Sequence, residues 1–386
     1  MDPKFISNRR HELDWLRIFA ILVLLFFHTG RIFDTQAWHI KNDESSESFY
    51  YWMPFVHTWR MPLLFFISGV GSIFAFRKST SLRYIFERFK RLVIPLIFAI
   101  VVVLPPQVYY EHKSEFNNYW EFYKSVLNFL PYHNGNLNLY HLWFLVYLFA
   151  YSLIGVPILF FFRSAQSSFF KKRVLHFFYN PIAILIGPPI FIIITRLILI
   201  PGHEWSAYFI FYLSFFLFGI IFYSSSEEIA RIGKNRKFLL AASLLMLIPY
   251  SWSYGFQDTK HLYDSLTIHS IHQTISIFVG WFWVVTLVAY GQRYLNQSNA
   301  WLSAMSEGIY PFYILHQTVI VIIGYYICQL QWSIAAKFWS INFLTLAFCV
   351  TFYFLCIRPF NIMRIPFGLK LKRRAPSSIT QVIPIP

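Results

Sequence analysis

Long apolar runs, broken by short polar stretches, recur from one end of the chain to the other. A bilayer core about 30 Å thick is crossed by a helix of about 17–25 residues. Ten runs reach that length: 14–33, 54–76, 89–109, 140–162, 181–201, 205–223, 238–254, 270–290, 309–328 and 336–357. The pattern predicts an all-α fold, a polytopic transmembrane helical bundle of about ten spans. The seventh run is the shortest and holds Pro249.

The polar stretches between the runs give a direction. Of the 33 Lys and Arg, 24 fall in the terminal segments and alternate connections, against five in the opposite loops (Lys41, Lys113, Lys124, Lys260 and Lys337). Arg17, Arg31, Arg60 and Arg196 lie in or at the ends of runs. Such a positive-inside bias predicts that both termini are cytoplasmic, as an even number of spans requires, in a multi-pass protein of the plasma (inner) membrane. Arg9 and Arg10 precede the first run, but no small-x-small cleavage site follows it, so this run is read as a retained helix.

Composition supports the membrane reading, because only 13% of residues are charged and 57% are hydrophobic, whereas a soluble domain is about 25% charged. The net charge of +16 is spread in short clusters between apolar runs. It therefore reports topology and the lipid bilayer as partner, and no nucleic acid. Cys328, Cys349 and Cys356 sit inside apolar runs and form no CxxC pattern. Residues 1–364 read as one membrane domain, and 365–386 as a basic, Ser/Pro-rich cytoplasmic tail expected to be disordered. The outer loops 34–53 and 110–139 mix aromatic and acidic residues, which suits either sugar contact or the membrane interface.

Ionisable residues inside spans are costly and by default face the bundle interior. In LDWLRIFAILVLLFFHTGRIF, Arg17 and His28 are eleven residues apart, a rise of about 16 Å and about 20° past three turns. They share one face, Arg17 low and His28 in the outer half, while Arg31 reads as an interface anchor. His57 and Ser68 are likewise eleven apart on the second span, with Arg60 between them. His141 opens the fourth span from the outer side, and His316 lies mid-span beyond Pro311. For Arg17, Arg60 and Arg196, snorkelling to the headgroups is the competing explanation. His269 and His272 have i, i+3 spacing without a carboxylate, so no metal is expected. Arg88, Lys90 and Arg91 cluster at the cytoplasmic mouth of the third span, with Arg77 in the same loop. Such a cluster suits either anionic lipid or a phosphate-rich ligand.

These residues together resemble the acyltransferase 3 family of integral-membrane O-acyltransferases. The shared marks are Arg17 to His28 in the first helix, FISG in the second, and Arg88, Arg91 and Pro95 before the third. HLW (His141 to Trp143) and Tyr310 to His316 complete them. Within the family the chain is similar to the branch that includes the glucan biosynthesis protein C succinyltransferases, through its AWHI, HTWRM and HLWFL segments. It departs from the branch reading HLWSLSVEEQF, since Tyr147 follows where acidic residues would come.

The resemblance implies transfer of an acyl group from a cytoplasmic acyl-CoA, acetyl-CoA or succinyl-CoA, to a hydroxyl of an outer glycan or glycolipid. Acyl-CoA is then a donor substrate, with no tightly bound cofactor. His28 is the expected general base and Arg17 lines the donor path. Arg60, His141 and His316 are unranked candidates for stabilising the oxyanion. Arg77, Arg88, Lys90 and Arg91 would hold donor phosphates, and His57, Ser68, Trp143 and Tyr310 would line the substrate site. An acyl-enzyme through Ser68 is disfavoured because no GxSxG elbow surrounds it. The absence of Walker A, HExxH and GxGxxG motifs leaves ATP-driven transport, zinc proteolysis and dinucleotide chemistry without support. The rival is a secondary transporter relaying protons through the same His and Arg residues, against which no intramembrane carboxylate is expected. A receptor or scaffold without turnover is the third reading.

Overall fold

The computed structural model describes residues 10–77, 79–128, 130, 136, 138–164, 169, 173, 176–178, 180–199, 204–224, 232–255 and 266–372. Within them all regular structure is helical. In chain order the helices are α1 (His11–Gly30), α2 (Glu47–Arg77), α3 (Ser81–Glu111), α4 (Tyr119–Val126), α5 (Tyr140–Arg163), α6 (Pro181–Leu199), α7 (Glu204–Phe222), α8 (Arg236–Gly255), α9 (Leu266–Tyr294), α10 (Ala300–Ile327), α11 (Ile334–Ile357) and the single turn α12 (Asn361–Arg364). Eight of them (α1, α2, α3, α5, α8, α9, α10 and α11) are long and apolar enough to cross a membrane. The fifth and sixth runs form α6 and α7, whose described apolar stretches, Pro181–Leu197 and Ala207–Phe222, are shorter.

Local chemistry sets where several helices begin. Thr80, Asn299 and Ser333 accept hydrogen bonds from Arg83 N, Leu302 N and Ala336 N, satisfying orphan donors at the starts of α3, α10 and α11. Midway along α3, residues 99–103 form a wider π turn. Such turns disturb the i→i−4 ladder, and Val103 O there accepts the Thr318 hydroxyl of α10 at 3.0 Å.

The bundle is organised around α2, which packs against α1, α5, α7 and α9, while α10 packs against α1, α3 and α11. In a membrane, close approach of helices relies on small residues. A Cβ on Gly69 would lie 2.0 Å from Phe216 O, one on Gly219 2.2 Å from Phe66 O, and one on Gly280 2.4 Å from Thr58 O. The α2–α7 and α2–α9 contacts are therefore backbone against backbone.

Basic residues gather at one end, where Arg163 bonds Ser79 O and buried Arg364 pairs with Glu307. Of the segment read as a tail, residues 365–372 fold back on this end: Phe367 is buried and Arg364 Nε donates to Lys370 O at 2.6 Å. Lys4, Arg9, Lys78, Lys171, Lys172, Arg231, Lys260 and the rest of the tail, 373–386, lie outside the described residues. At the opposite end the α1–α2 loop is braced by Arg31, whose Nη1 lies 2.6 Å from Asp34 Oδ2, and by Lys41 Nζ, 3.0 Å from Asp34 Oδ1. Arg31 thus holds a loop in shape, a role its position at the end of an apolar run did not reveal.

Gly219→Ala should cost about 1–3 kcal/mol of stability because the facing carbonyl belongs to a packed helix. Gly71→Ala, with nothing within 4 Å of the added methyl, should not. Thermal unfolding of the two variants in detergent checks this; equal melting temperatures would mean that the backbone contact is absent.

Candidate active site

Three imidazoles from three helices meet near the end opposite the basic one. The ring centroids of His28 (α1), His141 (α5) and His316 (α10) lie 5.3 Å (His28 to His316), 5.1 Å (His141 to His316) and 6.4 Å (His28 to His141) apart. His141 reaches the group through a strained step, since Tyr140 has φ +40°, a left-handed conformation uncommon for a non-glycine residue. Tyr313 OH then donates to His141 O at 2.6 Å and fixes the turn to α10.

The hydrogen bonds of two rings determine what they present to the chamber. His141 Nε2 lies 3.2 Å from Ile314 O and His316 Nδ1 2.7 Å from Tyr313 O. A carbonyl only accepts, so each of these nitrogens donates, and in the neutral ring the other nitrogen carries a bare lone pair. Those nitrogens, His141 Nδ1 and His316 Nε2, are buried without a partner, as is His28 Nδ1. Among the described residues no group of three or more His, Cys, Asp or Glu is arranged to hold a metal ion. The lone pairs instead suit hydrogen-bond donors such as hydroxyls.

Arg60 supplies the opposite character. It is 3% exposed, and its Nε and Nη1 have no hydrogen-bond partner. Its guanidinium carbon lies 3.9 Å from the centroid of the Phe27 ring, next to His28 in sequence, and its charge reaches both His28 and His316. A buried cation without an anion is strongly unfavourable, so the position suits a group that becomes negative during turnover.

The remaining sequence candidates divide by place. His57 stacks on Phe27 at 5.9 Å, beside Arg60. Trp143, two residues after His141, lies 5.3 Å from Tyr212 in an aromatic group with Phe65 and Tyr147. Ser68 donates to Leu64 O within its own helix at 2.7 Å and accepts, through its carbonyl, from Ser72. Arg88 Nη2 in turn reaches Ser72 Oγ at 2.9 Å, so Ser68 belongs to the half of α2 leading to the basic mouth. Arg91 is exposed and its carbonyl accepts from Tyr310 OH at 2.8 Å, whereas Lys90 turns onto Phe86. Arg77 lies over Phe74. Arg17 stays low on α1, 3.4 Å from Asp14 Oδ1, and does not join the imidazoles. Arg196 bonds Gln273, which also contacts His269, while His272 lies 3.0 Å from Ser253 Oγ.

Sequence reasoning missed a second polar group beside the chamber. His39 Nδ1 lies 2.6 Å from Glu111 Oε2, and its Nε2 lies 3.1 Å from Gln107 Nε2 and 3.0 Å from Gln317 Nε2. Trp38 stacks on His28 at 6.1 Å. The signal was present in the AWHI segment, but Glu111 was counted with the outer-loop acids. A further carboxylate, Glu12, precedes the first apolar run, in the first turn of α1; it is 0% exposed and lies 3.7 Å from Arg10.

Eight helices long and apolar enough to cross a membrane, four of which bring together three imidazoles with unpartnered nitrogens and the Arg60 guanidinium, make a multi-pass membrane protein whose cluster suits proton transfer and anion stabilisation. These are the two needs of acyl transfer. The chain belongs to the acyltransferase 3 family, whose model, an acyltransferase domain, matches residues 10–357. It is 24% identical over 335 residues to glucans biosynthesis protein C of Salmonella schwarzengrund, covering 83% of this chain and 85% of that protein. The same-named proteins of Salmonella typhi and Salmonella paratyphi B are similar over the same extent at 24% and 23% identity. No solved structure matches significantly.

Because its guanidinium is buried without an anion, Arg60→Met should melt no lower than the wild type in detergent. A clearly lower melting temperature would show that Arg60 has a structural partner.

Proposed function

We propose that the protein transfers an acyl group, acetyl or succinyl, from cytoplasmic acyl-CoA to a hydroxyl of an extracytoplasmic glycan or glycolipid. It does so from within the plasma membrane, with both termini cytoplasmic and α6 and α7 completing ten spans. The observation that carries this reading is the meeting of unpartnered ring nitrogens on His28, His141 and His316 with the unpaired Arg60 guanidinium. The name shared by the relatives, glucans biosynthesis protein C, makes a glucan the first acceptor to try.

In the proposed reaction the acceptor hydroxyl donates to His28. As its oxygen bonds to the thioester carbon, the proton passes to the imidazole. The carbonyl oxygen becomes an oxyanion facing Arg60, because neutral His141 and His316 offer only lone pairs to the chamber and cannot donate to it. When the carbon–sulfur bond breaks, the imidazolium returns its proton to the CoA sulfur. The product is an ester, and atoms and charge balance. His141 and His316 accept hydrogen bonds from the bound acceptor. Arg88 and Arg91, with Arg77 and Lys90 at the rim, attract the donor's phosphates, and Tyr310 braces that mouth through Arg91 O. Arg17, His57, Ser68 and Trp143 are assigned to the walls of the path between the two ends.

The secondary transporter keeps one observation in its favour, the buried carboxylate of Glu12. Purified protein with labelled acyl-CoA and glucan separates the readings. The wild type should transfer label, and a well-folded His28→Ala variant should be slower by about 10²–10⁴. Equal rates would overturn the base assignment, and solute uptake without acyl transfer would establish the transporter.

A further inference from the structure

Loop 31–46 does more than connect α1 to α2. Half-buried Trp38 lies against the His28 ring, centroids 6.1 Å apart and planes 20° apart, with the exposed residues 35–37 just before it in the loop. A π stack of this kind fixes the plane of an imidazole whose buried Nδ1 has no hydrogen bond to orient it. What holds Trp38 is its neighbour. His39 is tied to Glu111 and the two glutamine amides already described, and it meets the Tyr140 ring edge-on at 4.6 Å. Tyr140 OH also donates to Glu111 Oε2 at 3.4 Å. The tie crosses from the loop to α3, α5 and α10. Its amides are themselves deeply buried, Gln107 at 0% and Gln317 at 2% exposure.

We propose that His39 and Glu111 are positioning residues, which pin the 37–40 turn so that Trp38 sets the plane of the His28 ring and covers that side of it. The chemical consequence rests on His28 acting in acyl transfer, but the geometry does not. The base of a transfer reaction works when a partner holds its orientation. For many bases that partner is a carboxylate on the other ring nitrogen. Among the described residues no carboxylate reaches His28, and the one beside it, Glu111, acts one residue removed, through His39 and the indole.

The test uses the full chain in lipid nanodiscs, with wild type, Trp38→Ala, Trp38→Phe and Glu111→Gln compared. Diethyl pyrocarbonate acylates exposed imidazoles, and the modification rate of each histidine is read by mass spectrometry without any need for turnover. His28 should label several-fold faster in Trp38→Ala and Glu111→Gln and at the wild-type rate in Trp38→Phe. His316 should keep its slow rate in all four. With acyl-CoA and glucan present, kcat of Glu111→Gln and Trp38→Ala should fall by about 10–100-fold, with the KM for acyl-CoA unchanged and Trp38→Phe close to wild type. Unchanged His28 labelling in both Trp38→Ala and Glu111→Gln would overturn the proposal, and so would a parallel rise at His316, which would mean general loosening. If the labelling shifts as expected while no variant, wild type included, transfers acyl groups, the positioning stands and the acyl-transfer reading falls.

Discussion

A bilayer offers no water to a polar group that its protein leaves unpaired, and that constraint shapes this molecule throughout. Within the bundle it is mostly met. The Trp281 indole donates to Ile184 O at 2.7 Å, the Tyr151 hydroxyl to Phe209 O at 2.6 Å, and Ser243 and Thr286 share a bond of 2.8 Å. Serines on several helices return their hydroxyls to the carbonyl one turn earlier, as Ser152 does to Leu148 O. Against this background, lone pairs on three adjacent histidines and a guanidinium without an anion stand out. A substrate hydroxyl and a developing oxyanion would partner them.

Other buried polar atoms without partners, on Glu12, Tyr84 and Thr345 among them, are scattered, whereas those of the histidines and Arg60 lie on four helices that meet. One group comes from each of α1, α2, α5 and α10, so the chamber exists only when these helices are packed in register. The glycine contacts that draw α7 and α9 onto the backbone of α2 fix the helix bearing Arg60. Main-chain carbonyls of α10 select the tautomers of His141 and His316, and the strained Tyr140 sends one side chain to Glu111 and the next to the chamber. Fold and site thus rest on the same contacts.

Much of this was readable from the chain. Apolar run length located the eight crossing helices and both shorter ones, because span length is set by a physical thickness. His28, His141, His316 and Arg60 were legible because an ionisable residue in an apolar run has few inexpensive explanations. Helical phase and rise put Arg17 low on the face of α1 that carries His28, about 16 Å away, and there it lies 3.4 Å from Asp14 Oδ1. The AWHI segment flagged His39, but its partners Glu111 and Gln107 were not legible, since one was grouped with a polar loop and the other lies near the end of an apolar run. Only the fold shows that they converge. Nor could the sequence show which ring nitrogens of His141 and His316 face carbonyls, the observation on which the proposed preference for Arg60 at the oxyanion rests.

The central claim is that the chamber joins a donor from the basic end to an acceptor at the opposite end. The most direct measurement is transfer in sealed proteoliposomes of uniform orientation, with labelled acyl-CoA confined to the face bearing Arg88 and Arg91 and glucan confined to the other. Joining the two ends predicts label on the glucan and release of CoA on the donor's own face. Equal transfer with both substrates on one face only, or CoA emerging beside the glucan, would contradict it.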